Sequence, residues 1–251
     1  MAISGLVISF NEERHIGDCI DSLFRVCDEV IVVDSFSKDD TVKIATSKGA
    51  KVISQEFLGD GKQRIHGLQF CKNDWILNLD ADERLDEDTY QFIMSEAYLD
   101  LPHDAYNLRM RNFLGDEEVN YSGWYPDYTC RFFNKQTATP STSKVHQRIQ
   151  ANNIKDTKLH LYHYGWDSFF QIISKKNQYT DWQAEELVAR GKKAKWFDPF
   201  THGFAAWFRC YFFKKGVLNG VDGFTFALIQ AFFSYMKYAK LLKLQKKKDR
   251  S

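Results

Sequence analysis

Several features are missing from this 251-residue sequence, and each absence narrows the field. Net charge is only +1, from 34 Lys and Arg against 33 Asp and Glu, so the folded body does not offer the basic face that grips nucleic acid. The five cysteines (Cys19, Cys27, Cys71, Cys130, Cys210) are odd in number and scattered without metal-ligand spacing. They read as reduced, mostly buried thiols of a cytoplasmic protein. The chain enters a strand-like run at once, without the basic region and long apolar segment of a signal peptide. No run reaches the roughly 18–20 apolar residues that a membrane-spanning helix needs. Internal repeats and low-complexity linkers are absent. A Gly-rich, basic phosphate loop is missing after the first strand, where Phe10-Asn11-Glu12-Glu13 stands instead, and this argues against a nucleotidyltransferase.

What is present is a globular chain with 44% hydrophobic and 16% aromatic residues, long enough for one large domain or a domain with an appendage. Charge is unevenly spread. Residues 209–251 hold ten Lys or Arg against Asp222 and Asp249, which leaves the rest of the chain acidic.

The first half alternates strand and helix. Ile3 to Phe10 is an apolar run, and Asn11 is placed to cap a helix carrying Ile16, Ile20 and Leu23 on one face. A second strand from Glu29 ends in Asp34-Ser35-Phe36-Ser37-Lys38-Asp39-Asp40-Thr41, and a helix follows to Gly49. Lys51 to Ser54, a helix over 62–71 and the strand Trp75 to Leu79 complete a βαβαβαβ order, which implies a mostly parallel sheet flanked by helices. Ligands bind such sheets beyond the carboxyl ends of the strands, so Asn11, Asp34 and Asp80 are expected to converge. Asp80 and Asp82 follow the fourth strand one residue apart and suit Mg²⁺ or Mn²⁺ on a substrate phosphate. A calcium loop is excluded, because Leu85 and Gln91 stand where that loop needs Gly and Glu.

Phe10-Asn11-Glu12-Glu13, the segment from Val32 to Thr41, and Leu79-Asp80-Ala81-Asp82-Glu83 together resemble the inverting family-2 glycosyltransferases of GT-A fold. Within them the chain most resembles bacterial lipopolysaccharide core glucosyltransferases. The resemblance implies that Asp34 accepts hydrogen bonds from the base or ribose of a UDP-hexose, with Asn11 and Glu12 in the same pocket. It implies that Asp80 and Asp82 hold Mn²⁺ or Mg²⁺ on the diphosphate. Lys62 and Arg64 open the helix before the metal strand and are candidates to touch the diphosphate or base. Phe36 stands where many relatives carry Gly.

In the second half, Tyr106 to Asn112 and Arg131-Phe132-Phe133 read as strands. Between them Gly123-Trp124-Tyr125-Pro126-Asp127 occupies the place of the acceptor-side acid in relatives. Asp127 is the candidate base that takes the acceptor hydroxyl's proton, with pairing to Arg131 as the structural alternative. Trp124 and Tyr125 offer flat faces to a sugar, or are core. Val145-His146-Gln147 resembles a Val-His-Glu element in which Gln147 replaces the acid. His146 and His163 are both candidates for an added metal or diphosphate contact, and His160 a weaker one. Residues 1–190 are expected to form the catalytic domain and 191–251 an aromatic, basic helical segment. Nine aromatics in residues 196–213 and the lysines after Tyr238 suit peripheral contact with an anionic membrane, or packing onto the domain or in a dimer. The expectation is an enzyme on the cytoplasmic face of the inner membrane whose acceptor is a lipid-linked saccharide. A membrane-associated scaffold without activity is the rival, and the intact Asp80/Asp82 pair argues against it.

Overall fold

The computed structural model describes residues 2–142 and 148–248, and the chain divides into two compact units. The first comprises residues 1–112 and 126–165, the second residues 113–125 and 166–251. This division differs from a boundary at residue 190: the helix of residues 169–189 clusters with the C-terminal helices, and residues 113–125 join them.

The elements of the first half run β1 (Ile3–Ser9), α1 (Ile16–Phe24), β2 (Glu29–Asp34), α2 (Thr41–Ser47), β3 (Lys51–Ser54), α3 (Asp60–Leu68), β4 (Trp75–Asp80), β5 (Glu83–Leu85) and α4 (Glu87–Met94). Then come β6 (Ala105–Leu114), β7 (Glu117–Val119), β8 (Asp127–Asn134), β9 (Ala138–Pro140), β10 (Ile149–Ala151) and β11 (Ile154–Trp166). The helices α5 (Phe169–Ala189), α6 (Asp198–Phe208) and α7 (Gly220–Lys248) follow. The main sheet is mixed, in the order β3-β2-β1-β4-β8-β6-β11-β5. Strands β1 to β4 pair in parallel because a helix lies in each connection, whereas β8 joins β4 antiparallel.

Side-chain alternation along the strands builds a core on each face of this sheet. Leu77 and Leu79 of β4 pack with Ile3, Val7, Ile20 and Phe132, while Ile76 packs with Leu6, Ile31 and Phe133. Asn78 and Asp80 share the side of Ile76, which is covered by α3. That helix lies close to the sheet because Gly67 has no side chain: a Cβ there would fall 2.5 Å from Leu6 and 2.8 Å from Val33. Asn11 does not cap α1, whose N-cap is His15. With φ of +54° it sits in a left-handed turn, and its side chain accepts a hydrogen bond from the Lys38 amide at 2.8 Å.

The second unit has its own core around Phe226 of α7, whose ring meets Tyr121, Trp124 and Phe169 at centroid distances of 5.7, 4.8 and 5.1 Å. Val119, Ile172, Ile229 and Phe233 complete it. One expectation is corrected here. The helical stretch Gly216–Lys247 is long and apolar enough to cross a membrane, because its mean hydropathy of 1.3 survives the Gln, Ser and Thr that interrupt the apolar run. One third of that window is buried within the protein, as befits a helix that also packs.

Candidate active site

The candidate site lies in the first unit, beyond the C-terminal ends of β1, β2 and β4. It is a cleft of about 240 Å³ lined by Ser9, Phe10, Glu12, Ser35, Asp80 and Asp82, with Phe57 and His163 at its sides. The parallel order of β2, β1 and β4 brings these strand ends together, as the pattern of the sequence predicts.

Asp80 is the last residue of β4 and belongs to a charged cluster. Arg64 of α3 donates to one of its carboxylate oxygens, and Arg131 of β8 to the other at 2.5 Å. Arg64 also donates to Asn78 Oδ1 at 2.7 Å and to Asp60 Oδ1 at 2.9 Å, so it frames one face of β4. Arg131 additionally binds Glu83 at 2.5 Å, and Glu83 in turn accepts from the Asp80 amide at 3.0 Å. Burial works against charge on Asp80, yet Arg131 and Arg64 outweigh it and hold its carboxyl well below the usual carboxylate range. Glu83 is pushed up by burial, which Arg131 opposes and Asp80 reinforces. The alternative pairing of Arg131 with Asp127 is not what the strand provides: Arg131 spends its contacts on Asp80 and Glu83. Two buried donors of the cluster, Arg131 Nε and Asn78 Nδ2, have no hydrogen-bond partner among the described residues.

Asp82 and His163 are brought together by strand register. Antiparallel pairing of β5 and β11 sets His163 opposite Glu83, one residue past Asp82. His163 Nε2 lies 3.6 Å from Asp82 Oδ2, too far for a hydrogen bond. Its Nδ1 lies 2.7 Å from Asn112 Oδ1, which orients the ring and leaves Nε2 toward Asp82. Burial disfavours charge on this imidazole, but the carboxylates of Asp82, Glu83 and Asp80 prevail and raise its pKa to about 9. Two metal–ligand bonds of about 2.1 Å span up to about 4.2 Å, so one ion can reach both atoms. The space beside them is kept open by Gly165, where a Cβ would lie 2.5 Å from Nε2 and 3.3 Å from Oδ2. Carboxylate and imidazole donors, with Asp60, Asp80, Asp82 and Glu83 set against two arginines, suit Mn²⁺ or Mg²⁺.

The other predicted residues separate. Glu12 lines the cleft, and its amide donates to Thr41 Oγ1 at 2.7 Å. Asp34 is almost wholly buried and organises the loop, accepting from Ser9 Oγ at 3.1 Å, the Ser37 amide at 2.8 Å and Ser37 Oγ. Asn11 braces the same loop. Phe36, with φ of +61°, occupies the conformation that glycine adopts without cost. Lys62 is exposed on α3 and does not line the cleft; nor does Asp127, the exposed first residue of β8. Trp124 and Tyr125 belong to the second unit, where Trp124 packs on Phe226. His146 lies outside the described residues.

Asp86, Asp88 and His160 form another cluster of metal-ligating types, but hydrogen bonds already occupy it. Asp86 caps α4 and accepts from Tyr162 and Arg111, while His160 Nδ1 and Asp88 lie 2.6 Å apart. Sequence reasoning missed Arg131, Glu83, Asn112 and Gly165 as parts of the site. The Glu83 of the Asp-Ala-Asp-Glu segment was the one visible signal.

Comparison with known proteins gives a consistent picture. The family model for "Glycosyl transferase family 2" matches residues 4–217. An uncharacterized glycosyltransferase of Rickettsia typhi is 35% identical over 98% of this chain and 88% of its own length. The lipopolysaccharide core biosynthesis glycosyltransferase LpsC of Rhizobium meliloti is 26% identical over 96% of this chain and 92% of its own. Among solved structures, TarS of S. aureus in complex with UDP-GlcNAc aligns with 99% of this chain and 92% of its own, at 16% identity and a TM-score of 0.49.

Proposed function

The chain belongs to glycosyl transferase family 2, and from that premise we propose that it transfers glucose from UDP-glucose to a lipid-linked saccharide of the lipopolysaccharide inner-core kind. The observation that carries the diphosphate end of the donor is the Asp82–His163 pair just beyond β4, left open by Gly165 and adjoining Asp80, which Arg64 and Arg131 hold. The similarity to LpsC over nearly the whole chain supports the acceptor half.

In this reading Asp82 and His163 would hold Mn²⁺ or Mg²⁺, with Asp80 contributing through its one-third exposed side chain. Positive charge held there would stabilise a departing diphosphate. The nucleoside rests against Phe10, Glu12 and Ser35, in a loop that Asp34 and Asn11 hold in shape. Arg64 and Arg131 fix the direction of the Asp80 carboxylate. Inversion needs one base to take the acceptor hydroxyl's proton, and Asp127, exposed at the start of β8 and outside the donor cleft, is the residue proposed for that role. The enzyme works at the cytoplasmic face of the inner membrane, which the exposed aromatics of the second unit support: Phe204 is 67% and Phe213 76% exposed.

A panel of nucleotide-sugars with and without Mn²⁺ tests the reading. UDP-glucose should be hydrolysed slowly alone and transferred rapidly to core-truncated lipopolysaccharide, and EDTA should stop both. Turnover of no UDP-sugar in the presence of Mn²⁺ and acceptor would overturn it.

A further inference from the structure

A second cavity, of about 260 Å³, opens among α5, α6, α7 and the π-helical turn Arg209–Phe213 of the second unit. Its chemistry is one-sided. Lys176, Arg209, Lys214 and Lys237 line it, and among the described residues no carboxylate does. The nearby acid on α5, Asp181, is paired with Lys240 at 2.7 Å, and neither residue is among the lining groups. Concentrating four cations in one hollow costs stability through mutual repulsion and desolvation. Lys176 shows that cost: burial first, with the charge of Lys214 against it, lowers its pKa to about 8 although Cys210 pulls the other way.

Hydroxyls complete the lining. Ser122 is 3% exposed, sits at a positive φ of +56°, and its Oγ has no hydrogen-bond partner among the described residues. Ser234 and Tyr179 also line the cavity. Local backbone geometry keeps the arrangement. The Ser122 amide donates to the Lys214 carbonyl at 3.0 Å, and the Lys214 side chain lies against Gly123, where a Cβ would fall 2.2 Å from Nζ. A buried hydroxyl held without a partner beside four ammonium and guanidinium groups is an arrangement that an oxyanion with several acceptor oxygens satisfies.

We propose that this pocket binds the phosphate group of an anionic membrane lipid. A phosphomonoester carries about −1.5 to −2 charges near neutral pH and three acceptor oxygens, which matches both the charge and the hydroxyls. The helices that build the pocket argue for a lipid source over a soluble one. Their outer surfaces expose Phe204, Phe208, Phe212 and Phe213 on α6 and the turn after it, and Leu228 and Phe232 on α7, the side chains that enter the acyl region beneath a headgroup. The proposal is independent of the donor cleft, which lies in the first unit.

The test uses full-length protein and three probes, dihexanoyl phosphatidic acid, glycerol 3-phosphate and dihexanoyl phosphatidylcholine, titrated calorimetrically in EDTA. Phosphatidic acid should bind, glycerol 3-phosphate should bind at least tenfold more weakly, and phosphatidylcholine should not bind. Lys176→Gln/Arg209→Gln should weaken phosphatidic acid at least tenfold, and Ser122→Ala about threefold with unchanged melting temperature. Lys246→Gln/Lys247→Gln, outside the pocket, should leave that affinity unchanged. Equal affinity for glycerol 3-phosphate would overturn the lipid assignment. Loss of binding in the Lys246/Lys247 variant with retention in the Lys176/Arg209 variant would overturn the pocket. If the Lys176/Arg209 variant fails to fold, unaltered affinity in Ser122→Ala overturns it instead.

Discussion

Replacing Arg131 by Met tests the electrostatic frame beneath the cleft. The substitution keeps most of the side-chain volume and removes the charge that faces Asp80 and Glu83. Removing one partner of a buried ion pair costs about 3–5 kcal/mol, because the other charge is left uncompensated. Here the lower end applies: Asp80 keeps Arg64 and is one-third exposed, so Glu83, fully buried, carries most of the loss. At about 2–4 °C per kcal/mol for a chain of this size, a loss near 3 kcal/mol lowers Tm by about 6–12 °C at pH 7.5. The pH dependence gives an independent check. In the wild type the depressed Asp80 carboxyl contributes stability above its unfolded value near 3.9, and that stability is lost only as pH falls through the folded value. Between pH 5 and 8 this contribution is therefore constant. In the variant, burial without Arg131 raises Glu83 further above its unfolded value, so its penalty grows as pH rises through that range. The Tm gap between the two proteins should then narrow from pH 8 to pH 5, measured by scanning calorimetry in matched ionic strength. A gap below about 2 °C at pH 7.5, or one that widens on acidification, would refute the reasoning.

Gly165→Ala should weaken Mn²⁺ binding about 10–100-fold, by electron paramagnetic resonance titration, because the new methyl displaces His163 Nε2 from Asp82; unchanged affinity would remove the pair from the metal site. Asp127→Asn should lower kcat about 10²–10⁴-fold in a transfer assay while calorimetric UDP affinity stays constant, and near-normal turnover would send the base elsewhere. Phe36→Gly relieves a left-handed conformation worth about 1–2 kcal/mol, against about 0.5–1 kcal/mol of added unfolded-state entropy. Tm should rise by about 1–3 °C, and a fall would mean that the exposed ring makes contacts worth more than the strain.

The parallel half of the sheet was legible because its strands and helices alternate over short connections, each with its own periodicity. The same pattern places Asp80 and Glu12 at one crevice without any long-range information. What escaped depends on pairings between distant segments. His163 faces Asp82 only because β11 pairs with β5, about eighty residues earlier, and neither strand was anticipated. Arg131 sat in a correctly read strand, but its partner follows from the β4–β8 register, which set it beside Asn78 and Asp80 and away from Asp127. Gly165 looked like an ordinary strand interruption. Trp124 kept two readings, sugar platform and core, and its ring lies against Phe226. Asn11 was read as a cap because its residue type suits that position, but the chain needs a left-handed turn there to tie the two loops together.

The membrane reading also has to be tested in a way that the second unit's packing permits. Deleting residues 196–251 would strip Phe226, Ile229 and Phe233 from a core shared with Val119, Trp124 and Ile172, so lost vesicle binding would report unfolding as readily as a lost anchor. Point changes on the outer surface avoid this. Phe204 and Phe213 are 67% and 76% exposed, and exposed substitutions away from such cores usually change stability by less than about 0.5 kcal/mol. Burying one such ring in an apolar phase is worth about 1.5–3 kcal/mol, so two rings inserted even partly are worth well over a factor of ten in partitioning. Phe204→Ser/Phe213→Ser should therefore retain its melting temperature in solution and lose at least tenfold in co-sedimentation with vesicles containing phosphatidylglycerol. Charge alone cannot produce that result, since the double variant keeps every lysine. Retained co-sedimentation of the double variant would leave the aromatics without a membrane role and point to a second protein chain as their cover.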